Sequence, residues 1–524
     1  MLAVLKRTIS CHGSVAALLA LGLSSLGLAG CAVGPNFTSP PAPDVDRYTA
    51  KPAASPDGGP DEPRGTRQHF VNGADVSARW WVAFRSQPLN QLIRMSVDHN
   101  PSLQAAEAAI QVAQFNAYAQ RGLFFPQVGA NYTPSDQQIS NNITSDPAIS
   151  PQNRYTLHTA QLNISFVPDI WGSNIRAVEN LDAVTENQQF QLEAAYLALT
   201  ANVVTAAIQE ASLRGQIAST QKIIGIERDI LDILKKQYAA GQAAHVDELT
   251  QEAALAQAEQ TLPPLEKQLA VQRDLLTALA GQLSADEVLQ KFDLQHLVLP
   301  TNLPVSLPST LVRQRPDVRA AEAALHAANA QVGVAIAARL PNIVLSANPG
   351  TSAVTLAQLF TPGTGFYVVA ASMTQPVFDG FTLYHKQKAA EAFVDQSDAL
   401  YRQTVITALQ NVADALRSLQ ADARSVQAAI KAELAAKASL DIIVVQLKAG
   451  AINQVTVLNA QQVYFNALIT RVQAQATRLA DTAALFMALG GGWPANCSGP
   501  VWRDCAMGET TVSALEPGAG TPSH

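Results

Sequence analysis

The residues of this chain whose types and spacing could support chemistry begin with a cysteine near the N-terminus. Residues 28–31 read Leu-Ala-Gly-Cys, and a small-residue site followed directly by Cys31 resembles the bacterial lipobox, in which the thiol is lipidated and becomes the first residue. The preceding segment starts with Lys6 and Arg7 and continues through an apolar run that is too short to span a bilayer comfortably. We therefore expect a signal peptide over residues 1–30 and a lipid on Cys31. Ordinary cleavage beside an incidental cysteine is the alternative.

The remaining cysteines divide between the signal peptide and the C-terminal tail. Cys11 is lost with the signal peptide, whereas Cys497 and Cys505 lie close together in a tail that contains Gly and Pro. In an oxidising periplasm this pair could form a disulfide; two free thiols are the alternative, and a zinc site lacks further ligands nearby. Ala32, and not Asp, follows Cys31, which resembles the pattern of lipoproteins sent on to the outer membrane.

Acid–base or metal chemistry is not indicated elsewhere in the sequence. The nine histidines are scattered without a metal-ligand pair at helical spacing, and there is neither a phosphate loop nor a nucleophile elbow. Glu107, Asp247 and Glu248 could act as acids, yet carboxylates on amphipathic helices are usually just solvated. We expect no enzyme, no metal and no cofactor. Charged residues make up 15% of the chain, the net charge is −7 and Lys and Arg are not clustered, which argues against a nucleic-acid partner.

The elements that would position any such site come from an internal repeat. Residues 100–110 match residues 315–325, and this register continues without a gap until Pro126 falls on Pro341. Later landmarks keep their order in both halves: Gly172 and Gly380, Val204 and Val412, Gly241 and Gly450, Gly281 and Gly490. Chance does not preserve such an order, so one ancestral unit of about two hundred residues was duplicated.

Each repeat predicts the same order of elements. A helix begins after Pro101 or Pro316 and ends before the next Pro. A strand, a polar loop and a return strand follow, with the loops at residues 133–153 and 349–365. Between Gly172 and Gly241, and again between Gly380 and Gly450, the chain has no Pro, which predicts helices of roughly 100 Å. A second helix then runs back from each Gly, and Pro263-Pro264 breaks the first of these.

Alternation in the predicted strands separates an apolar face from a polar one. Val128, Ala130 and Tyr132 share one face in the first repeat, and Ile343, Leu345 and Ala347 take the same face in the second. The return strand at 159–166 alternates strictly, and the one at 367–375 less cleanly. A half-buried sheet on a soluble core is one interpretation. A transmembrane barrel is the other, and the nearly uncharged polar faces favour it.

Four strands cannot close a barrel by themselves, and open strand edges are forbidden in lipid. If the strands cross a membrane, the chain must therefore oligomerise. Two copies give eight strands and a packed interior, whereas three give twelve strands and room for a channel. The long Ala-rich helices have no core of their own and must also lie beside copies of themselves.

Three segments resemble a known family. Residues 79–93, with Arg-Trp-Trp-Val-Ala-Phe and then Pro-Leu-Asn-Gln-Leu-Ile, residues 307–322, and the start at 31–37 are similar to TolC-like outer-membrane factors of the lipoprotein (OprM/NodT-like) branch. The resemblance covers residues 31–494. It implies a mixed α and transmembrane β fold, in which a homotrimer forms one twelve-stranded β-barrel in the outer membrane, continued by a periplasmic α-helical barrel.

The resemblance also implies partners and a role. Such a trimer docks to a periplasmic adaptor (membrane fusion) protein and an inner-membrane efflux pump, so that drugs or other small molecules leave the cell directly. The lipid-anchored chain would lie in the outer membrane of a Gram-negative bacterium and extend into the periplasm. Two alternatives stay open: a channel for type I-like protein secretion, and a non-conducting structural lipoprotein that spans the envelope.

Site residues are carried over at the helix turns. In the family these turns carry a Gly and, six positions later, an Asp, and they are the adaptor-docking sites. Gly241 and Asp247 match this motif fully, whereas Gly450 is followed by Thr456. The closed aperture of relatives uses a Tyr, a basic residue and acidic residues, and the corresponding candidates here are Tyr238, Leu447, Ile452 and Asn459. Since the second repeat lacks the charged latch, we expect a constriction made by packing and neutral hydrogen bonds.

The sequence thus predicts six segments. They are a signal peptide at 1–30, a lipidated tether at 31–78, the first repeat at 79–290, a linker at 291–306, the second repeat at 307–492 and a tail at 493–524.

Overall fold

A computed structural model describes residues 32–51, 54–56, 67–138, 154–493 and 502. The signal peptide, Cys31, Cys497 and Cys505 lie outside the described residues, so the lipid anchor and the disulfide stay predictions. The chain divides into two compact units. Unit 1 holds residues 1–39, 110–187 and 322–400, and unit 2 holds residues 40–109, 188–321 and 401–524.

Helices dominate the described residues. In chain order the helices are α1 Gln87–His99, α2 Pro101–Arg121, α3 Ser173–Ala239, α4 His245–Gln260, α5 Leu262–Leu279, α6 Pro308–Gln314, α7 Pro316–Ala337, α8 Thr382–Lys448 and α9 Gln454–Ala488. The strands are β1 His69–Asn72, β2 Gln127–Gln138, β3 Arg154–Phe166, β4 Asn302–Val305, β5 Asn342–Ala347, β6 Gly350–Ala353, β7 Gly365–Phe366 and β8 Val369–Thr374. Apart from the loop between β2 and β3, since residues 139–153 lie outside the described residues, this order confirms the predicted repeat of helix, strand, return strand, very long helix, turn and helix.

Unit 1 contains an antiparallel sheet built from both repeats. Strand β3 pairs with β2 along one edge and with β5 and β6 along the other, while β8 pairs with β5 and β7 with β6. Among the described strands, none pairs with the outer edge of β2 or of β8. The sheet is therefore open at both sides in a single chain.

The two faces of this sheet differ in polarity, as the alternation predicts. On one face apolar residues lie opposite each other, for example Val128 opposite Ile164. On the other face polar residues do so, for example Asn131 opposite Gln161. Side chains of the apolar face remain exposed in the single chain, at fractions of 64% for Val128, 69% for Met373 and 74% for Val369. Soluble proteins rarely expose such a large apolar face to water, so we expect this face to contact something other than water.

Strands β2 and β3 are longer than predicted, whereas β8 is shorter than the expected return strand at 367–375. Strand β2 continues to Gln138, although residues 133–138 were expected in a loop, and β6 lies within the expected loop 349–365. The added part of β2 is polar on both faces, so hydrophobic alternation cannot reveal it. Its pairing is held instead by polar partners such as Asp136 and Arg154, whose side chains form an ion pair at 2.5 Å.

Helices α3 and α8 have 67 residues each, which corresponds to about 100 Å at 1.5 Å per residue. Their predicted length is confirmed. One stretch of α3 is apolar enough to cross a membrane by composition, but 56% of that stretch is buried within the chain, as in the core helices of soluble proteins. The predicted asymmetry of the return helices is also confirmed, because α4 and α5 meet at Thr261, just before Pro263-Pro264, whereas α9 is continuous.

In unit 2, the sequence motif at residues 307–322 has a structural role. The Arg315 guanidinium is buried, and its Nη1 donates to the carbonyl oxygens of Ala408 at 3.1 Å and Ala488 at 3.0 Å. Its Nε donates to Asp317 at 2.8 Å. Arg315 therefore ties the start of α7 to α8 and to the end of α9.

Candidate functional site

The first helix turn, at the end of α3, is stopped by a glycine. Gly241 has a φ of +71°, a left-handed conformation that glycine adopts at little cost. The amide of Gln242 donates to the carbonyl of Gln237 at 2.8 Å, and the amide of Gly241 donates to that of Tyr238 at 2.9 Å. These two bonds are the Schellman arrangement, which satisfies carbonyls at the end of a helix.

The second turn, at the end of α8, repeats this backbone. Gly450 has a φ of +69°, and Ala451 donates to Gln446 at 2.9 Å while Gly450 donates to Leu447 at 2.9 Å. Gly241 and Gly450 thus end their helices in the same way, as the repeat predicts. An Ala at either position would strain the backbone.

The two return helices begin differently, and this difference accounts for Thr456. In the second turn Asn453 caps α9, because its Oδ1 accepts from the amide of Thr456 at 3.0 Å and from its hydroxyl at 2.7 Å. In the turn at Gly241, the residue before α4 is Ala244, whose side chain cannot accept a capping hydrogen bond. Asp247 supplies a carboxylate in the first turn of α4, where the helix dipole favours negative charge. Each helix start is therefore stabilised, one by a neutral cap and the other by a charge.

The aperture candidates fall into two environments. Tyr238 is 45% exposed, and its ring lies 5.0 Å from that of His245. Asn459 is also exposed. Leu447 is buried in an apolar cluster, and Ile452 packs against the same cluster, whose other buried members are Ile230, Leu234 and Val457. Leu447 and Ile452 therefore pack in one cluster, which includes neither Tyr238 nor Asn459.

A buried polar cluster near the turns was missed by the sequence analysis. Its members are Glu227, Gln251, Gln454 and Gln461, all at most 5% exposed, and we call them the polar junction. The Nε2 atoms of Gln251 and Gln461 both donate to Glu227 Oε2, the second at 2.8 Å. Gln454 Nε2 donates to Gln251 Oε1 at 2.5 Å. The junction links α3, α4 and α9, and so connects the helix pairs of both turns.

Burial raises the pKa of Glu227 to about 7, and the amide hydrogen bonds from Gln251 and Gln461 oppose this shift only in part. Nothing in the sequence distinguishes Glu227 from the solvated carboxylates of the same helix. The one available signal is the spacing of Gln454 and Gln461, which are seven residues apart and therefore share a helix face.

A second feature that was not predicted involves residues 32–39 of unit 1, which we call the strap. Arg176 of α3 is 4% exposed and holds the strap by donating to the carbonyls of Val33 at 3.1 Å and Gly34 at 3.3 Å and to Asn36 Oδ1 at 2.7 Å. The amide of Val33 in turn donates to the carbonyl of Trp171 at 3.0 Å. The residues that directly follow Cys31 are therefore fixed beside the end of the return strand.

The strap also crosses α7 at a point where two glycines meet. A Cβ on Gly34 would lie 2.6 Å from the Cα of Gly333, so neither residue leaves space for a side chain. Farther along, the Phe37 ring stacks on His326 with centroids 4.4 Å apart, and His326 lies 3.1 Å from Glu179. The strap thus joins α3 of the first repeat to α7 of the second.

Among the described residues, no cluster of His, Cys, Asp and Glu has the size to hold a metal ion. The candidate site is a set of helix turns and their supporting contacts.

Comparisons with known proteins match most of the chain. The family model described as outer membrane efflux protein matches residues 92–282 and 307–491. The pyoverdine export outer membrane protein OpmQ of Pseudomonas putida is 28% identical over 420 residues, which are 80% of this chain and 89% of OpmQ. The probable efflux pump outer membrane protein TtgC of the same species is 26% identical over 483 residues, or 91% of this chain and 96% of TtgC.

A solved structure of the outer-membrane channel OprN has the same fold. It superposes with a TM-score of 0.78 at 24% identity and covers 88% of this chain and 100% of OprN.

Proposed function

The chain belongs to the outer membrane efflux protein family, and we propose that it is the outer-membrane exit duct of a tripartite efflux system, passing drugs or other small molecules out of the cell. Membership of this family agrees with the resemblance of residues 79–93 and 307–322 to TolC-like outer-membrane factors. Its relatives are outer-membrane proteins of efflux and export systems, and not enzymes.

The open, two-faced sheet is the observation that carries the proposal. Its apolar face is exposed, its other face carries uncharged polar side chains such as Asn131 and Gln161, and its outer edges at β2 and β8 have no partner among the described strands. Lipid is the environment that suits an exposed apolar sheet face, and water suits the opposite one. Open edges in lipid must be paired, so copies of the chain supply the missing neighbours.

Three copies are the number that gives a conducting barrel. Counting β5 with β6 and β7 with β8, each chain contributes four strand positions, so three chains give twelve. Eight strands leave an interior filled by side chains, whereas a wider barrel encloses a channel. The 67-residue helices α3 and α8 would extend this channel into the periplasm as a helical barrel.

Adaptor docking is proposed at the two glycine turns. Gly241 with Asp247, and Gly450 with Thr456, form exposed turns of nearly identical backbone, which a repeated adaptor surface could recognise twice in each chain. An inner-membrane pump would supply cargo through that adaptor. Tyr238 and Asn459 are exposed near these turns and stay candidates for the aperture, while Leu447 and Ile452 would act through the packing of the helix ends.

Small molecules are the cargo class favoured by the relatives. OpmQ is described as a pyoverdine export protein and TtgC as a probable efflux pump component. The protein-secretion alternative has no comparable support, and a non-conducting spacer does not account for the polar sheet face.

We also propose that Cys31 carries the lipid, that residues 1–30 are removed, and that Cys497 and Cys505 form a disulfide in the tail at 493–524. The segment 31–78 would tether the lipid, and repeats at 79–290 and 307–492 would be joined by a linker at 291–306. The strap supports a tether that starts at Cys31, because Val33 is held next to Trp171, just after the return strand.

The test is the mass of the detergent-extracted protein, followed by its conductance in a planar bilayer. A trimer that opens ion-conducting pores is expected, whereas a monomer or dimer without conductance would favour the spacer. Neighbouring positions on opposite faces of β3 give matched variants. Leu162→Lys places a charge on the lipid face. Such a charge costs about 2–4 kcal/mol near the bilayer midplane, so this variant should not insert. Gln161→Lys should insert normally and lower cation conductance; equal behaviour of the two variants contradicts the membrane sheet.

A further inference from the structure

The polar junction connects both turn-bearing helix pairs of unit 2, and it contains a buried carboxyl group among amides. We propose that Glu227 is the positioning residue of a proton-linked latch, in which loss of its proton loosens the packing of the two turns and favours the open channel. The latch rests on the proposed function, because its effect is on channel opening. Glu227 lies fourteen residues before Gly241, or about 21 Å along α3, and is separate from the aperture candidates.

The hydrogen bonds place Glu227 at the centre of the junction. Its Oε2 accepts from Gln251 of α4 and Gln461 of α9, so one oxygen atom holds a helix from each repeat. Gln454 is the first residue of α9, and its donation to Gln251 extends the junction to the second turn. A change at Glu227 therefore reaches α4 and α9 through direct hydrogen bonds, and it reaches the start of α9 at the second turn through Gln251 and Gln454.

Two buried oxygen atoms give the junction a second possible arrangement. Gln454 Oε1 and Gln461 Oε1 have no hydrogen-bond donor in the described part of the chain. A glutamate carboxylate can only accept, so it cannot satisfy either of them. A neutral carboxylic acid carries an O–H donor, and rotation of the Gln461 amide would let its oxygen accept that proton. The two protonation states thus prefer different hydrogen-bond patterns in the same cavity.

Nearby cations do not compensate a charge on Glu227. No charged side chain contributes to the shift in the pKa of Glu227. Four pairs on the surrounding helices are formed without it: Lys222 with Tyr464 at 2.8 Å, Arg228 with Glu259 at 2.6 Å, His245 with Glu248 at 3.3 Å and Lys437 with Asp441 at 2.5 Å. Burial raises the pKa of Glu227, and its carboxyl group receives hydrogen bonds only from amides. A buried carboxylate of this kind is destabilised unless water reaches it.

The direction and size of the effect follow from this pKa. In the packed state the pKa of Glu227 is about 7, and in a hydrated, loosened state we take the ordinary value of 4.5. Ionisation then favours the loosened state. In one protomer the ratio of the loosened to the packed state should rise about tenfold between about pH 6 and about pH 8, so the open-to-closed ratio of the channel should rise by at least that factor.

Single-channel recording of the full-length trimer tests the latch. Glu227→Gln keeps the size of the side chain and removes the titration, so its open-to-closed ratio should change less than about twofold over this pH range. Glu259→Gln is the matched control, since Glu259 packs on the same helix through an exposed pair with Arg228, and it should keep the wild-type profile. A Glu227→Gln profile equal to that of wild type would overturn the latch.

A second variant separates titration from a merely structural role. Gln461→Leu removes a hydrogen bond that is stronger to the carboxylate than to the neutral acid, so it should move the midpoint of the profile upward by about half to one pH unit. An unmoved midpoint contradicts the assignment to Glu227. Hydrogen exchange of peptides over residues 237–247 and 446–456 should report the same midpoint without requiring conductance. A chain that forms no pores but shows this exchange midpoint would refute the channel and retain only the proton-linked packing around Glu227. Conducting pores without the midpoint would refute the latch and retain the channel.

Discussion

Replacing Arg176 by Ala should detach the strap from unit 1. The Arg176 side chain is 5% exposed and has four acceptors, of which Asn36 Oδ1 and Glu179 Oε2 are nearest at 2.7 Å. Removing one partner of a buried ion pair costs about 3–5 kcal/mol. Glu179 is 25% exposed and also contacts His326, so we take the lower end, about 3 kcal/mol.

Hydrogen exchange at the amide of Val33 measures this loss. That amide donates to the carbonyl of Trp171 at 3.0 Å, and it becomes free to exchange when the strap opens. Because about 1.4 kcal/mol is a factor of ten, a loss of about 3 kcal/mol should accelerate the exchange roughly a hundredfold. The readout is local, so it does not require that the whole chain unfold in one step.

Arg121→Ala is the control in the same unit. Arg121 pairs with Asp182 at 2.8 Å, but the two side chains are 47% and 46% exposed, and exposed pairs contribute at most about 1 kcal/mol. Exchange at Val33 should therefore be unchanged in this variant. If Arg176→Ala left the exchange within about threefold of wild type, the strap would be held by its other contacts and our reading of Arg176 would be wrong.

Three further perturbations concern the turns and the polar junction. Asn453→Ala removes the cap of α9 and should cost about 1 kcal/mol, seen as faster exchange of the Thr456 amide with no change at the first turn; equal protection in the variant contradicts the cap. Asn459→Asp should alter single-channel conductance, and an unchanged current would count against Asn459 as an aperture residue. Stability should fall by about 3 kcal/mol as the pH rises from 4.5 to 7, because the unfolded Glu227 ionises first, and stay level above 7. Melting temperatures of wild type and Glu227→Gln over this range check the sign, since equal slopes would rule out Glu227 as the cause.

The internal repeat and the placement of Pro and Gly were sufficient to predict the helices and turns. These are local features of the sequence. The two long helices follow from the absence of Pro, and the break near Pro263 follows from its presence. Both glycine turns follow from the left-handed residue that usually ends a helix. The length of β2 was underestimated because its last residues are polar on both faces. Their pairing depends on polar partners in the next strand, such as Arg154 for Asp136, and such partners leave no hydrophobic pattern.

The candidate site was predictable only where it repeats. Gly241 and Gly450 were found by comparing the chain with itself and by resemblance. The strap was not, because Arg176 is a charged helical residue and two of its four acceptors are backbone carbonyls of a distant segment. Such acceptors carry no sequence signal. Thr456 was noted as a departure, yet its reason lies in Asn453, three residues earlier, which takes over the stabilisation of the helix start.

A comparison of the two repeats could not reveal the polar junction, because its residues are not repeated. In the register that pairs Gly241 with Gly450, the counterparts of Glu227 and Gln251 are Ala436 and Ala460, and those of Gln454 and Gln461 are His245 and Glu252. Two alanines cannot form hydrogen bonds through their side chains, so the duplicated position cannot build a second junction. One protomer therefore holds a single polar junction between its two turn-bearing helix pairs, and not one in each repeat. A trimer would carry three such latches, which makes the pH dependence of opening steeper if they act together than the tenfold change expected of one.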